Sequence, residues 1–298
     1  MTTLTAQSQA ELLQAAAWRE LDCRLPGVQE VFDASVAESL SLLTQAQCHG
    51  LWGAGRRLGQ LGRGAEPVKA WLTHWPSVVS LIGSDGLDDV MALVQSLHKS
   101  PNSAAIAPLM GSLVSVARRL GSVEGLRQYL NVVQEFALQT SGSIHGRQLT
   151  QPSPGLLPLL AHTPRLLQVL SMSGLRRWVF HGARVHAHHP PQQVAYFSLA
   201  SADSLAMLQR ERQGTLLVDV QRQLSMTQQA LWMQDFPLVP LTGDDACDAR
   251  MTPALQQDLL GLPDVLDTLH SVDGLGRYRL MLMHAAAHRK LSQACIAD

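Results

Sequence analysis

Aromatic residues make up only 5% of the 298 positions, and strand-favouring runs are correspondingly scarce. Leu and Ala dominate instead, which favours helices over sheets. Charge of one sign is also missing. A formal net charge of -1 removes any bulk argument for nucleic acid or anionic membrane as a partner. No apolar run approaches the length of a membrane span; the nearest, "GLLPLLAHTPRLLQVL", is broken by Pro158, His162, Pro164 and Arg165. The start, "MTTLTAQSQAELLQ", has no basic segment ahead of an apolar one, so no signal peptide is expected. Cysteine is sparse: Cys23, Cys48, Cys247 and Cys295 lie far apart, with no C-x-x-C pair. Reduced, buried thiols in a cytoplasmic protein are expected, without a disulfide framework or a zinc knuckle.

What the chain does have is helical period. Ser8-x-x-Glu11 ahead of "LLQAAAW" has the form of a capping box. Leu126, Leu130, Val133 and Ala137 form one apolar stripe, and Leu217, Val220, Leu224 and Leu231 another. "TLLVDV" alone would suit a strand, but the second stripe carries it into a helix. Gly- and Pro-rich turns punctuate these segments. The tracts Ser141–Pro154 and Pro237–Pro253 are the least regular, and the first is a candidate sub-boundary within a single domain. Arg-Arg pairs begin at Arg56, Arg118 and Arg176, about sixty residues apart, twice followed by Leu-Gly. The expected fold is therefore all-α, a multi-helix, solenoid-like stack of hairpins.

Few motifs carry chemistry. "GAGRRLGQLGRG" fits neither the P-loop nor the dinucleotide pattern, so a helix-to-helix connection is expected there. Asp33-Ala34-Ser35-Val36-Ala37 lacks the second hydroxyl of a D-x-S-x-S metal site, and Asp33 reads better as an N-cap. Asp244, Asp245 and Asp248 lack the spacing of a calcium loop. Arg176, Arg177, His181, Arg184, His186, His188 and His189 crowd ahead of Pro190 and Pro191. A solvated basic helix end is the plain reading; a basic surface for an acidic partner and a metal site are the alternatives. No carboxylate or thiolate adjoins them in sequence.

Near the end, "MHAAAHRK" places His284 and His288 four residues apart, the spacing of a zincin helix. Ala285 stands where the general base of H-E-x-x-H belongs, so a metal-dependent hydrolase on this pair lacks its base. The surrounding helix looks apolar nearly all round, and the histidines are expected to be packed within it.

Several segments resemble, in order, the N-terminal helical half of CbbO: "GLRRW", "AYFSLASADSLAMLQRERQGTLLVDVQRQL", "ALWMQDF" and "YRLMLMHAAAH". Upstream, "LGRGAEPVKAWL" and "ARRLGSVEGLRQYL" fit the same family, and "LQRERQGTL" is the most specific run. CbbO is the adaptor of the CbbQO-type Rubisco activase, and the related NorD proteins, linked to nitric oxide reductase maturation, share the layout. The resemblance implies a non-catalytic adaptor without a cofactor. Its partners would be a hexameric MoxR-type AAA+ ATPase, CbbQ, and indirectly Rubisco, in the cytoplasm or associated with carboxysomes. The family's C-terminal von Willebrand factor A domain, which engages Rubisco, has no counterpart among these residues. What the chain retains would be ATPase-facing surface at most. Arg176, Arg177, Arg210 and Arg212 are the candidate partner-binding residues, chosen as exposed charge; His284 and His288 are weaker metal candidates.

Overall fold

A computed structural model describes residues 2–142, 150–212, 214–233, 236–241, 254–256, 259–266, 269 and 271–294. The described chain is predominantly helical, as the periodicity predicts. In order it runs α1 (Thr2–Leu21), α2 (Val28–Leu42), α3 (Gln45–Gln60), α4 (Glu66–Ile82), α5 (Leu87–His98), α6 (Ile106–Leu120) and α7 (Val123–Thr140). It continues through α8 (Leu156–Val169), α9 (Met172–Val185), α10 (Pro190–Phe197) and α11 (Ala202–Glu211). The last part comprises β1 (Thr215–Leu216), α12 (Leu217–Trp232), β2 (Leu238–Leu241), β3 (Ala254–Gln256), β4 (Leu259–Pro263), β5 (Val265–Leu266) and α13 (Gly274–Ala294). No described helix is long and apolar enough to cross a membrane.

The chain forms two compact units, Met1–Arg118 with Val133–Ala161, and Arg119–Val132 with His162–Asp298. The irregular 141–154 tract lies inside the first.

In the first unit, α1 packs on α3, α2 on α4, and α3 on α4. Glycine permits the close approach: a Cβ on Gly55 would stand 2.6 Å from Leu21 Cδ1. The few aromatics are spent here on the core. Trp18, Phe32 and Trp52 meet in sequence at ring distances of 5.0 and 5.2 Å, and Trp71 stacks on Trp75. The buried Trp71 indole donates to the Leu51 carbonyl at 3.0 Å. The capping box falls at Thr44 and Gln47, whose backbone amides and side chains pair reciprocally at the start of α3. Ser8 instead lies within α1, which begins at Thr2. Asp33 is also inside a helix, α2, where its Oδ1 accepts from Gln14 Nε2, so it caps nothing. The glycine-rich "GAGRRLGQ" belongs to α3 itself, and only the five residues after Gln60 form the connection.

In the second unit, α9, α10 and α11 close around Trp178, Tyr196 and Phe197. Pro190 and Pro191 open α10, where missing amide hydrogens cost nothing. Below them α12 and α13 pack together with small β elements that the periodicity does not announce. β1 pairs antiparallel with β5, and β4 lies between β2 (parallel) and β3 (antiparallel). Leu217, Leu224, Phe236, Leu260, Tyr278 and Leu282 form their common core. Of the predicted α12 stripe, Leu231 is 57% exposed; the inward position one turn earlier belongs to the buried Gln228. In α7 all four stripe residues are buried. Asp244, Asp245 and Asp248 lie outside the described residues.

Candidate functional site

The four candidate arginines gather on the second unit, on α9 and α11, two helices in contact. Ser171 and Ser201 start these helices by accepting from the amides of Gly174 and Ser204, which sets both helices in register. Their buried faces hold Trp178, whose indole donates to the Ser204 carbonyl at 3.0 Å. Their outer faces carry the charge.

Arg177 extends from α9 to α11, where its Nε donates to Glu211 Oε2 at 2.5 Å. The Glu211 side chain is only 9% exposed, while that of Arg177 is 56% exposed. Such a pair orients α11 more than it stabilises the fold, at about 0–1 kcal/mol for a half-exposed arginine. The Arg176 guanidinium lies 5.2 Å from the centroid of the Phe180 ring, one helical turn along α9. Arg210 and Arg212 stand exposed at the end of α11, flanking Glu211. Arg212 leaves the helix there, its backbone amide donating to the Leu208 carbonyl. Within the run "LQRERQGTL", Gln209, Arg210 and Arg212 are exposed at the end of α11, Glu211 is turned inward, and Leu216, ahead of α12, is buried.

The histidine-rich end of α9 is organised differently from a solvated helix end. His186 Nε2 lies 3.2 Å from Asp203 Oδ2, and His181 Nε2 lies 4.0 Å from Asp203 Oδ1. The carboxylate missing from the local sequence is supplied by the first turn of α11. Both imidazoles border the buried Tyr196 ring. Burial, then the Asp203 and Glu211 carboxylates, hold the Tyr196 phenol protonated well above its ordinary range. Its hydroxyl donates to the Trp178 carbonyl at 3.0 Å. His188 and His189, by contrast, are exposed beyond the end of α9.

His284 and His288 are not packed within α13. Both are exposed, with ring centroids 4.6 Å apart and planes at 78°. The helix is one-sided: Tyr278, Leu282, Ala285 and Ala286 face the core, while Leu280 and Met283 are exposed with the histidines. Alanine misled the expectation, because its small side chain is accommodated on either face.

Sequence reasoning missed a long-range ion pair of this unit. Arg119, counted only as half of an Arg-Arg echo, joins Asp264 through an ion pair in which each side chain is less than a tenth exposed. The only forewarning was a single Asp in the apolar run "LLGLPDVL". Nearby, Tyr278 donates to the Pro263 carbonyl at 2.7 Å, and burial raises its phenol far above the ordinary range.

Among the described residues, no group of three or more His, Cys, Asp or Glu side chains is placed to hold a metal ion. No family model, no curated protein and no solved structure matches the chain.

Proposed function

We propose that the chain is a non-catalytic adaptor domain that docks on a hexameric MoxR-type AAA+ ATPase, CbbQ, and helps couple it to the remodelling of inhibited Rubisco. The reading rests on the resemblance to CbbO. The observation that carries it furthest is the exposure of polar residues in the run most specific to the resemblance, "LQRERQGTL": Gln209, Arg210 and Arg212 face solvent at the end of α11. A likeness in core leucines would follow from helical packing alone, whereas solvated Gln and Arg residues have no packing role to explain them. Two arginines either side of a buried-side Glu211 offer a compact cationic face to an acidic surface on a partner.

The test is to mix the purified chain with CbbQ hexamer and nucleotide. Co-elution, with a changed ATPase rate, is expected. Separate elution with an unaltered rate overturns the reading. Binding instead to the MoxR-type ATPase encoded beside NorD, with none to CbbQ, would also overturn it in favour of the NorD branch.

A further inference from the structure

We infer that His284 and His288 form a two-nitrogen surface chelate for a divalent first-row transition metal. They stand one helical turn apart on α13, both exposed, so that neither imidazole is committed to the core. Residues at i and i+4 of a helix are surface neighbours. Their rings have already converged, at 4.6 Å between centroids. That spacing matches shared coordination. A metal–nitrogen bond of about 2.0–2.1 Å places the metal about 3.2 Å from each ring centre, and two cis ligands at right angles then have centroids about 4.5 Å apart. The near-perpendicular ring planes, at 78°, leave the two rings free of overlap in that arrangement.

The surroundings suit an open site. Leu280 and Met283 beside the pair carry no charge, and both are exposed. The neighbouring Arg289 guanidinium lies over the ring of Phe236, a core residue, 5.2 Å from its centroid. Two imidazoles leave the remaining positions to water, a geometry that suits tetragonal copper(II) and nickel(II) best, with copper the tightest by the Irving–Williams order. The alternative, a bare edge-to-face contact between two imidazoles, leaves the pair without metal affinity. This inference is independent of docking, because α13 is a different element from the α9–α11 surface.

The experiment is a calorimetric titration of copper(II) into the full chain, carrying no polyhistidine tag, at neutral pH. One equivalent is expected to bind more tightly than the rest. Second-donor binding is intramolecular, so H284A and H288A should each weaken that equivalent about tenfold or more. H188A/H189A, which removes two exposed histidines elsewhere, should leave it unchanged. H284Q/H288Q serves as a second test with side chains of helix-favouring shape. Copper binding of the same stoichiometry and affinity in the double variant and the wild type overturns the proposal. So does a loss in H188A/H189A equal to that in H284Q/H288Q.

Discussion

Arg119 Nη2 and Asp264 Oδ1 lie 2.7 Å apart although 145 residues separate them in the chain, and both side chains are less than a tenth exposed. Each partner makes a further bond to the backbone. Arg119 Nε also donates to the Leu167 carbonyl at 2.8 Å, and Asp264 Oδ2 accepts from the Met172 amide at 2.9 Å. One ion pair therefore ties the end of α6, the α8–α9 junction and the β4–β5 corner within the second unit.

Removing one partner strands the other charge without water. Asp264→Ala is therefore expected to cost about 3–5 kcal/mol, a large part of ordinary domain stability. The double variant Arg119→Met with Asp264→Leu replaces both charges and should lose less than Asp264→Ala alone. Urea unfolding of the three proteins checks this. Equal losses in the single and double variants would show that the backbone bonds to Met172 and Leu167, and not the charges, carry the cost.

Helices were legible because their signal is local. The α7 stripe of Leu126, Leu130, Val133 and Ala137 repeats at three and four residues, and every member is buried. The β elements were not legible, since "LVPL" and "LLGLP" pair across 22 residues and β1 finds β5 some 50 residues on. Short strands carry no period long enough to read. The same limit hid the polar contacts. Arg119 and Asp264, or His186 and Asp203, acquire meaning only when separate elements bring them together. Exposure on α13 was misread for a different reason: an Ala-rich helix has no contrast between faces, so only its neighbours decide that Ala285 is buried and His284 is not.

His74, on α4 beside α6, gives the fold an acid-sensitive point. A Cβ on Gly111 would stand 3.9 Å from its Nε2, and burial lowers its pKa below the ordinary imidazole value. The unfolded chain takes up this proton at about pH 6.5, the folded chain only at lower pH. Between those values the unfolded state binds more protons, so stability falls as pH falls through that window and is fully present above it. His74→Gln has no such proton to bind. Its urea midpoint should drop less than that of the wild type between about pH 7.5 and about pH 5. Identical drops would remove His74 from the acid response.

Gly182 is fixed by a neighbour, not by backbone conformation. It lies in α9, and a Cβ there would overlap the edge of the buried Tyr196 ring. Alanine normally strengthens a helix by about 1 kcal/mol over glycine. Here overpacking should reverse that sign, and Gly182→Ala is expected to destabilise by about 1–3 kcal/mol. Shrinking the neighbour in Tyr196→Leu should make the added methyl less costly, a coupling that a double-mutant cycle in urea measures. Additive effects would show that the ring moves aside freely.

The docking reading separates Arg177 from Arg210 and Arg212. Arg177 is bonded to Glu211, so its reversal to glutamate sets two carboxylates against each other and disturbs the α9–α11 contact. A binding loss in Arg177→Glu would therefore mix surface charge with altered structure. Arg210 and Arg212 are exposed at the end of α11. Their joint reversal, R210E/R212E, is expected to change stability by no more than about 0.5 kcal/mol, because exposed charges contribute little to folding. The same variant should associate with the ATPase hexamer at least about tenfold more slowly at low salt, with the deficit shrinking as salt screens the interface. Stopped-flow association across a salt series measures both. Wild-type association by R210E/R212E at every salt concentration would move the docking face away from the end of α11.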